Sequence, residues 1–279
     1  MRTIVLKESG DFKDISHFFH FMELLFVSVV ELRKREWHPS TISHISIPHW
    51  PDVSWKGKEQ PHNEWVINKL FPQASVIHED MKGTDIITVD RARCNHGGIN
   101  KTWAKYIKNF DPYLWANWIH TPIPPTPIGK PIVTFINRQN AKRRKLSEGM
   151  YKNLINFLKN ISNIEFNNIY MEDLSFHEQV EIINKTDLLI GVHGNGLTHA
   201  AFMKPHSSVC EIFVPGTQFQ WDYYTLSKMM GHEYMCIFDG QPALPFMFNI
   251  QKHAVCRQEK FDPVIIRGMI DQIKEEKIF

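Results

Sequence analysis

The chain has 279 residues, of which 43% are hydrophobic and 22% charged, and its formal net charge is +2. This is the composition of an ordinary globular protein, and so small a net charge gives no reason to expect nucleic acid or an anionic membrane as a partner. The length exceeds one typical core and predicts two domains of roughly 100–150 residues each.

The first part of the chain alternates short strand and helix patterns. TIVLK at 3–7 is typical of a strand, and residues 14–35 form a strong helix pattern with Asp14 as N-cap and basic residues at its end. Shorter patterns follow in HISI, NEWVINKLF, ASVI, DIITVD and INKTWAKYIKNF. Together they predict an α/β domain.

Neither a membrane span nor an oxidising compartment is indicated. The longest apolar run, FMELLFVSVV, contains Glu23 and is too short to cross a bilayer, and the N-terminal apolar run is too short for a signal peptide. The four cysteines lack CxxC spacing, which favours reduced thiols: Cys94, Cys210, Cys236 and Cys256. We therefore expect a cytoplasmic protein.

A proline-rich segment divides the chain near its middle. Residues 120–131, HTPIPPTPIGKP, contain five prolines, which cannot sustain a helix or a central strand. This linker predicts one domain over 1–120 and another over 121–279.

After the linker, strands and helices alternate regularly. Strand patterns occur at 131–136, 164–170, 187–192, 208–214 and 234–238. Helices are predicted from Ser147, from the capping box SFHE at 175–178, from about Gln220 and from Pro263. Such alternation implies right-handed crossovers and a parallel sheet. We therefore predict an α/β fold of two Rossmann-like domains with a cleft between them, and ligands at the carboxyl ends of the strands.

The most unusual turn in the chain follows the buried strand at 187–192. We call residues 191–198, GVHGNGLT, the glycine turn. A helix is predicted to start near Leu197, and the free amides and dipole of a helix N-terminus favour an anion. The glycine turn therefore predicts a phosphate site.

Three known motifs fit this turn and its surroundings less well. A dinucleotide fingerprint requires glycine or alanine where this chain has His199, and a P-loop requires lysine where it has Leu197. NHGGIN at 95–100 is similar to an esterase oxyanion turn, yet the chain contains no GxSxG nucleophile motif. A plain strand-to-helix turn with hydrogen-bonded histidines stays open as the simplest alternative.

Two further features belong to the same predicted sheet edge. We call residues 137–144, NRQNAKRR, the basic loop; it follows the first strand after the linker, so its arginines should emerge beside His193. A guanidinium there suits a diphosphate, although a solvated basic turn is the alternative.

Glu211 lies within the apolar strand SVCEIFV, where a lone carboxylate is costly. A ribose diol or a neighbouring arginine would satisfy it.

Taken as a set, these motifs resemble glycosyltransferase family 61. The family pattern is a strand followed by Ser-Arg and then Arg-Arg, a GxHGAGLTN turn and an acidic E-[LIF]-F strand. The resemblance extends over residues 131–240, with Arg143 and Arg144 as the arginine pair. Three positions depart from it, because Asn137 stands where serine is common, Asn195 where alanine is usual and His199 where asparagine is usual.

The resemblance implies a GT-B architecture and an inverting transfer from a UDP-sugar. The second domain would bind the donor and the first the acceptor, an oligosaccharide or glycoprotein. The donor-binding residues it implies are Arg138, Arg143, His193, Gly194, Asn195, Gly196, Leu197, Thr198 and Glu211. The chain contains no DxD motif, so we expect no metal and no cofactor, with arginine and helix amides neutralising the diphosphate.

An inverting transfer also needs a base near the acceptor hydroxyl. DISHFFHFMELL at 14–25 is similar to the family's N-terminal helix, and it places His17 and His20 on one helix face. A neutral imidazole there can accept a proton near pH 7. Asp80 and Asp90, at the ends of strand-like runs, are competing candidates. Packing histidines or half of a metal site are the alternatives.

The expectation is therefore a metal-independent transferase acting on a glycan hydroxyl. The family's common donors are UDP-xylose and UDP-GlcNAc. The short chain resembles a microbial or viral, chlorovirus-type xylosyltransferase, which favours xylose and, for a virus, the host cytosol. A non-catalytic nucleotide- or glycan-binding protein on the same fold is the competing function.

Overall fold

The structure is a computed structural model that describes residues 1–7, 16–50, 53–56, 61–90, 108–119, 129–217, 222–239, 255–257 and 263–276. The chain divides into two compact units, Met1–Pro122 and Ile123–Phe279. The acceptor and donor roles assigned to the two halves stay predictions.

The first unit contains a parallel four-stranded sheet. Its strands, in chain order, are β1 (Arg2–Lys7), β2 (Ile42–Ser46), β3 (Ser75–Ile77) and β4 (Ile86–Asp90). They lie in the order β3-β2-β1-β4. The described α-helices are α1 (Phe18–Lys34), α2 (His62–Leu70) and α3 (Pro112–Trp118). The predicted α/β character of this half is confirmed.

Helix α1 is the central packing element of this unit. It is apolar on nearly every side and is buried along most of its length, as expected of a helix covered from several directions. It begins at Phe18 with His17 as N-cap, not at residue 14. Asp14, the predicted cap, lies outside the described residues. Arg33 and Lys34 lie in the last turn of the helix, where the helix dipole stabilises cations.

The second unit contains a parallel six-stranded sheet. Its strands are β5 (Ile132–Ile136), β6 (Glu165–Ile169), β7 (Leu188–Val192), β8 (Ser208–Phe213), β9 (Glu233–Phe238) and β10 (Val255–Arg257). The order is β10-β9-β8-β7-β5-β6. The helices are α4 (Glu148–Lys159), α5 (Phe176–Lys185), α6 (Asp222–Met230) and α7 (Pro263–Glu276). The predicted parallel α/β sheet is confirmed.

Local signals explain where these helices begin. Ser147 caps α4 by accepting from the Met150 amide, and the predicted capping box between Ser175 and Glu178 opens α5. The apolar stripe of α4 packs into the core beneath β5, β7 and β8. Strands β7 and β8 are buried at every position, as in a sheet covered on both faces.

Some elements were not predicted, and one prediction was wrong. Strand β10 and helix α3 have no counterpart in the sequence patterns above. Cys236 is disulfide-bonded, although reduced thiols were expected. Its Cα partner across the β9–β10 pair is Cys256, so the two positions are brought together by strand pairing that sequence spacing does not show. Cys210 is a free buried thiol.

Among the helices of the described ranges, none combines the length and the apolarity needed to cross a bilayer.

Candidate functional site

The second sheet has a switch point between β5 and β7. These strands are neighbours, with Ile136 opposite Gly191, but β5 leads to β6 on one side and β7 leads to β8 on the other. The connections therefore diverge, and the carboxyl ends of the two strands border a crevice where ligands bind in such sheets. Arg138 lies two residues beyond β5, and Gly194 two residues beyond β7. The predicted loop and turn are thus adjacent.

Gly194 allows the glycine turn to approach the basic loop. Its φ is +155°, a conformation that favours glycine, and a Cβ built on it would lie 2.5 Å from Arg138 Nη1. A Cβ built on Gly191 would lie 2.9 Å from Leu197 Cδ2, and one built on Gly196 would lie 3.2 Å from Ile136 Cγ2. The glycines therefore have a concrete role, because they let the turn contact the end of β5 and the Arg138 guanidinium.

Arg138 is a partly buried cation with unused hydrogen-bonding capacity. In the described part of the chain its Nε is buried without a hydrogen-bond partner, and no carboxylate lies within ion-pair distance of its guanidinium. Burial lowers the pKa of Arg138, and the nearby charge of Arg144 lowers it further. Both effects signal a positive charge short of compensation, as expected where an anionic ligand binds.

Hydrogen bonds of Asn137 and Gln139 hold the ends of the basic loop in place. Asn137 is buried, and its amide donates to Tyr151 Oη at 3.1 Å and to Asn168 Oδ1 at 3.0 Å. Gln139 closes the loop, because its Oε1 accepts from the Leu146 amide at 3.0 Å. Asparagine at 137, where the related pattern has serine, thus anchors the turn that carries Arg138.

The two arginines at the tip of the loop differ in position. Both side chains are exposed, but only Arg144 has a positive φ, of 54°. Arg144 also influences the pKa of both Arg138 and Tyr223, which places it near the switch point. Arg143 was the predicted ligand of this pair, and its role stays a prediction.

His193 is held by a buried carboxylate. Its Nδ1 donates to Glu211 Oε1 at 2.5 Å, and the Tyr234 hydroxyl donates to Glu211 Oε2 at 2.5 Å. The ring stacks on Phe213 at a centroid distance of 5.3 Å and meets Tyr223 edge-on at 5.4 Å. Burial, and next the Glu211 charge, raise the pKa of Tyr234, which therefore stays a donor. The arrangement fixes the tautomer and orientation of His193.

Glu211 is satisfied in a way that the sequence did not suggest. Its side chain is fully buried and both carboxylate oxygens are hydrogen-bonded within the protein, so neither expected partner, a ribose or an arginine, is needed to account for it. A position behind His193 fits this geometry better than direct contact with a ligand. Tyr234 was missed because its approach to Glu211 depends on the order of β8 and β9.

The glycine turn continues into a short helix. The 3-10 helix Asn195–Phe202 begins two residues before the predicted start at Leu197, with Gly194 as N-cap. Thr198 Oγ1 donates to Asn195 Oδ1 at 3.3 Å, and Thr198 also hydrogen-bonds the buried Tyr223 hydroxyl. Thr198 thus connects the helix to α6. The first amides of the helix and the Arg138 guanidinium converge on one edge of the sheet.

A second buried histidine supports this helix from below. His232 Nε2 donates to the Ala200 carbonyl at 3.0 Å, while its Nδ1 has no partner in the described ranges. Burial lowers the pKa of His232 from 6.5 to about 4, and the charge of His206 acts in the same direction. The folded protein therefore keeps His232 neutral at pH 5, where an unfolded chain binds a proton.

We expect the free energy of unfolding to fall as the pH is lowered from about 6.5 to about 4. His232 contributes on the order of 3 kcal/mol of this fall, because its pKa is depressed on folding and the unfolded state binds more protons in that window. His232→Gln, which keeps a donor near Ala200, should flatten the profile relative to His177→Gln, a change at an exposed site. Urea unfolding at several pH values measures this, and equal slopes for both variants would contradict it.

In the first unit, the predicted histidines do lie together. The rings of His17 and His20 have centroids 4.4 Å apart, and both side chains are partly exposed. His62, which sequence spacing did not indicate, packs on Phe18 at 4.7 Å and lies near His17. Burial lowers the pKa of His62 to about 4, so it is neutral at pH 7.

The two predicted aspartates lie at the carboxyl edge of the first sheet. Asp80 is ion-paired with Lys7 Nζ at 2.9 Å, and this hydrogen bond lowers the pKa of the Asp80 carboxyl. Asp90 is opposite Lys7 at the ends of β4 and β1, the two strands at the switch point of this sheet. The Asp90 side chain lies outside the described residues. A lowered pKa makes Asp80 a weaker base.

Both units are parallel α/β structures, and Arg138 lies beside the start of the helix Asn195–Phe202 at the switch point of the second sheet. The chain belongs to the family described as Glycosyltransferase 61, whose family model matches residues 18–210, more than half of the chain. The resemblance seen in the motifs is therefore confirmed, and the match includes Arg138, the glycine turn and α1.

Individual relatives match a shorter part of the chain. The "EGF domain-specific O-linked N-acetylglucosamine transferase" of Bos taurus is 32% identical over 109 residues, which are 38% of this chain and 20% of that protein. The protein of the same name in Mus musculus is 31% identical over 109 residues, which are again 38% of this chain and 20% of that protein. The protein of the same name in Drosophila melanogaster is 27% identical over 120 residues, which are 43% of this chain and 21% of that protein. The matches thus span about one fifth of these relatives' length.

Proposed function

We propose that the chain is an inverting, metal-independent glycosyltransferase that binds the diphosphate of a UDP-sugar at the β5–β7 switch point. One observation carries this proposal. The Arg138 guanidinium packs directly on Gly194, beside the first amides of a helix, without a carboxylate partner in the described ranges. A guanidinium and helix amides together suit a diphosphate, and family membership supplies the class of reaction.

In this proposal the second unit stabilises the leaving group. Transfer of the sugar releases UDP, whose β-phosphate gains negative charge as the glycosidic bond breaks. Arg138 and the amides of Asn195 and Gly196 offset that charge, and Arg144 adds a second guanidinium at the rim. His193 is oriented by Glu211 and contributes its second ring nitrogen. Glu211 acts through His193, and Arg143 stays an alternative to Arg144.

The first unit supplies the base and the acceptor site. His17 and His20 are partly exposed at the start of α1, where the helix dipole favours a neutral imidazole. We therefore prefer one of them to Asp80, which is ion-paired with Lys7. This role requires that His17→Ala or His20→Ala lowers kcat while UDP affinity is kept. The GT-B arrangement of the two units, with a cleft between them, is part of the same proposal.

The donor sugar is proposed from the names of the relatives. The relatives named above transfer N-acetylglucosamine according to their names, which favours UDP-N-acetylglucosamine over the UDP-xylose expected from the motifs. The acceptor is a hydroxyl of a glycan or glycoprotein. The same names make an EGF domain a reasonable acceptor to test first. The cytoplasmic location and the viral or microbial origin stay predictions.

Turnover is expected to persist without a divalent cation. The positive groups at the switch point already offset the charge of the diphosphate. EDTA should therefore leave kcat within about twofold of its untreated value, whereas a rise of about 1.4 kcal/mol in the activation free energy would lower kcat about tenfold. UDP release is measured from UDP-N-acetylglucosamine and from UDP-xylose, each with and without acceptor. Full loss of turnover in EDTA that manganese restores would contradict the metal-independent mechanism.

The same assay distinguishes a glycosyltransferase from the competing function, a non-catalytic nucleotide-binding protein. A non-catalytic nucleotide-binding protein would bind UDP but release none from any donor and acceptor pair. UDP binding with no release across a panel of glycan, glycoprotein and EGF-domain acceptors therefore overturns the catalytic part of the proposal and leaves the binding part.

A further inference from the structure

His199 lies within the helix that carries the proposed diphosphate site. It stands where the related family pattern has asparagine, and its side chain is 5% exposed. Both ring nitrogens face oxygen atoms. Nδ1 lies 2.9 Å from the Gly196 carbonyl oxygen, and Nε2 lies 2.8 Å from Gln179 Oε1. A backbone carbonyl is always an acceptor, so Nδ1 carries a proton.

The second contact also requires a proton on the histidine. Gln179 Nε2 donates to the Met171 carbonyl at 2.8 Å and to the Leu174 carbonyl at 3.1 Å. Rotating the amide by 180° would place Oε1 against both carbonyls, so these two bonds determine which Gln179 atom faces His199. That atom is an oxygen acceptor. A ring that donates from both nitrogens would be an imidazolium.

A chain of hydrogen bonds leads from this cation to the glycine turn. His199 donates to the Gly196 carbonyl, and the amide of the same peptide group, Leu197 N, donates to the Gly194 carbonyl at 3.0 Å. The amide of that next peptide group is Asn195 N, the first amide of the helix. Linked hydrogen bonds polarise one another, so a positive charge at one end makes the last N–H a stronger donor.

We propose that His199 is a positioning residue, held as an imidazolium by two acceptors, that strengthens the binding of the donor diphosphate through the peptide chain Gly196–Leu197–Gly194–Asn195. This inference rests on the proposed function, because it assumes that the Asn195 amide meets the diphosphate. An asparagine at this position has no positive charge to transmit and cannot donate to both acceptors with the geometry of the ring.

Other charged groups around His199 are accounted for. From α5, Gln179 and Phe176 contact it, and both are uncharged. The titratable side chains of α5 are exposed: His177, Glu178, Glu181 and Lys185. Next to Gln179, Glu172 and Asp173 are on the 3-10 helix Met171–Asp173. On the switch-point side the groups are Arg138, Arg144, His193, Glu211, Asp222, Tyr223 and Tyr224. His232 also contacts the helix, through the carbonyl of Ala200, and burial lowers its pKa to about 4. Titrations of these groups are common to the wild type and a His199 variant.

Nitrogen NMR and calorimetry test the proposal together. In the ligand-free wild type, ¹⁵N shifts should show both His199 nitrogens protonated at pH 7. His199→Asn should bind UDP about tenfold more weakly at the pH where His199 is charged, as for loss of a charge-assisted bond. The ratio of wild-type to variant affinity should shrink toward one as the pH rises through the titration of His199 that NMR measures. His177→Asn, at an exposed site, should behave as the wild type.

Each outcome has a distinct meaning. A wild type that binds no UDP at any pH overturns the proposed function, whereas UDP binding with a pH-independent affinity ratio overturns only the role of His199. A neutral His199 ring at pH 7 overturns the role as well, and this result needs no variant. Intact UDP binding, a doubly protonated ring and a ratio that falls with rising pH support it.

Discussion

Replacing Arg138 by alanine is expected to reduce UDP affinity by about 10- to 150-fold, the loss that corresponds to removing a charge-assisted bond of roughly 1.5–3 kcal/mol. The guanidinium is partly buried beside Gly194, and its Nε has no hydrogen-bond partner in the described residues. The fold should be retained, because Arg138 holds no element of the sheet in place. Calorimetric titration with UDP measures the affinity, and thermal unfolding checks the fold.

Two variants sharpen this experiment. Lys142→Ala removes an exposed cation from the same loop and should change UDP affinity far less. Arg138→Lys keeps the charge but loses the planar fork, so it should recover only part of the affinity. Unchanged UDP affinity in Arg138→Ala with an intact fold would remove Arg138 from the site.

Gly194→Ala is expected to have an effect of similar size through a different cause. Its Cβ would lie 2.5 Å from Arg138 Nη1, and the φ of +155° is strained for any residue with a side chain. The guanidinium must move, so UDP affinity should fall at least tenfold, and stability should fall by about 1–3 kcal/mol. Thermal unfolding and UDP titration report the two effects separately.

Gly149→Ala is the matched control for this change. Gly149 is at the start of α4, where an added Cβ meets nothing within 4 Å. Alanine should stabilise that helix by up to about 1 kcal/mol and leave UDP binding as it is. Wild-type UDP affinity in Gly194→Ala would show that contact between the glycine turn and Arg138 is not needed for binding.

Much of the second unit could be predicted from local sequence. Buried strand β7 appears as a continuous apolar run, β8 as an apolar run interrupted by Glu211, and the Ser175 capping box marks the start of α5. The emergence of Arg138 and His193 on one edge followed from parallel alternation alone, because carboxyl ends of parallel strands share an edge.

What the sequence could not predict are contacts across strands and between helices. The hydrogen bond from Tyr234 to Glu211 depends on β9 lying beside β8. The hydrogen bond from His199 to Gln179 depends on α5 packing against the 3-10 helix Asn195–Phe202. The approach of Cys256 to Cys236 likewise depends on the pairing of β10 with β9. Periodicity and spacing along the chain carry no information about which elements become neighbours.

A crystal structure of the full chain with UDP, grown in EDTA, tests the central claim most directly. The account predicts the β-phosphate within hydrogen-bonding distance of the Arg138 guanidinium and of the first amides of the helix Asn195–Phe202, with no metal ion on the phosphates. A diphosphate bound away from the β5–β7 switch point, or one that binds only through a divalent cation, would contradict it.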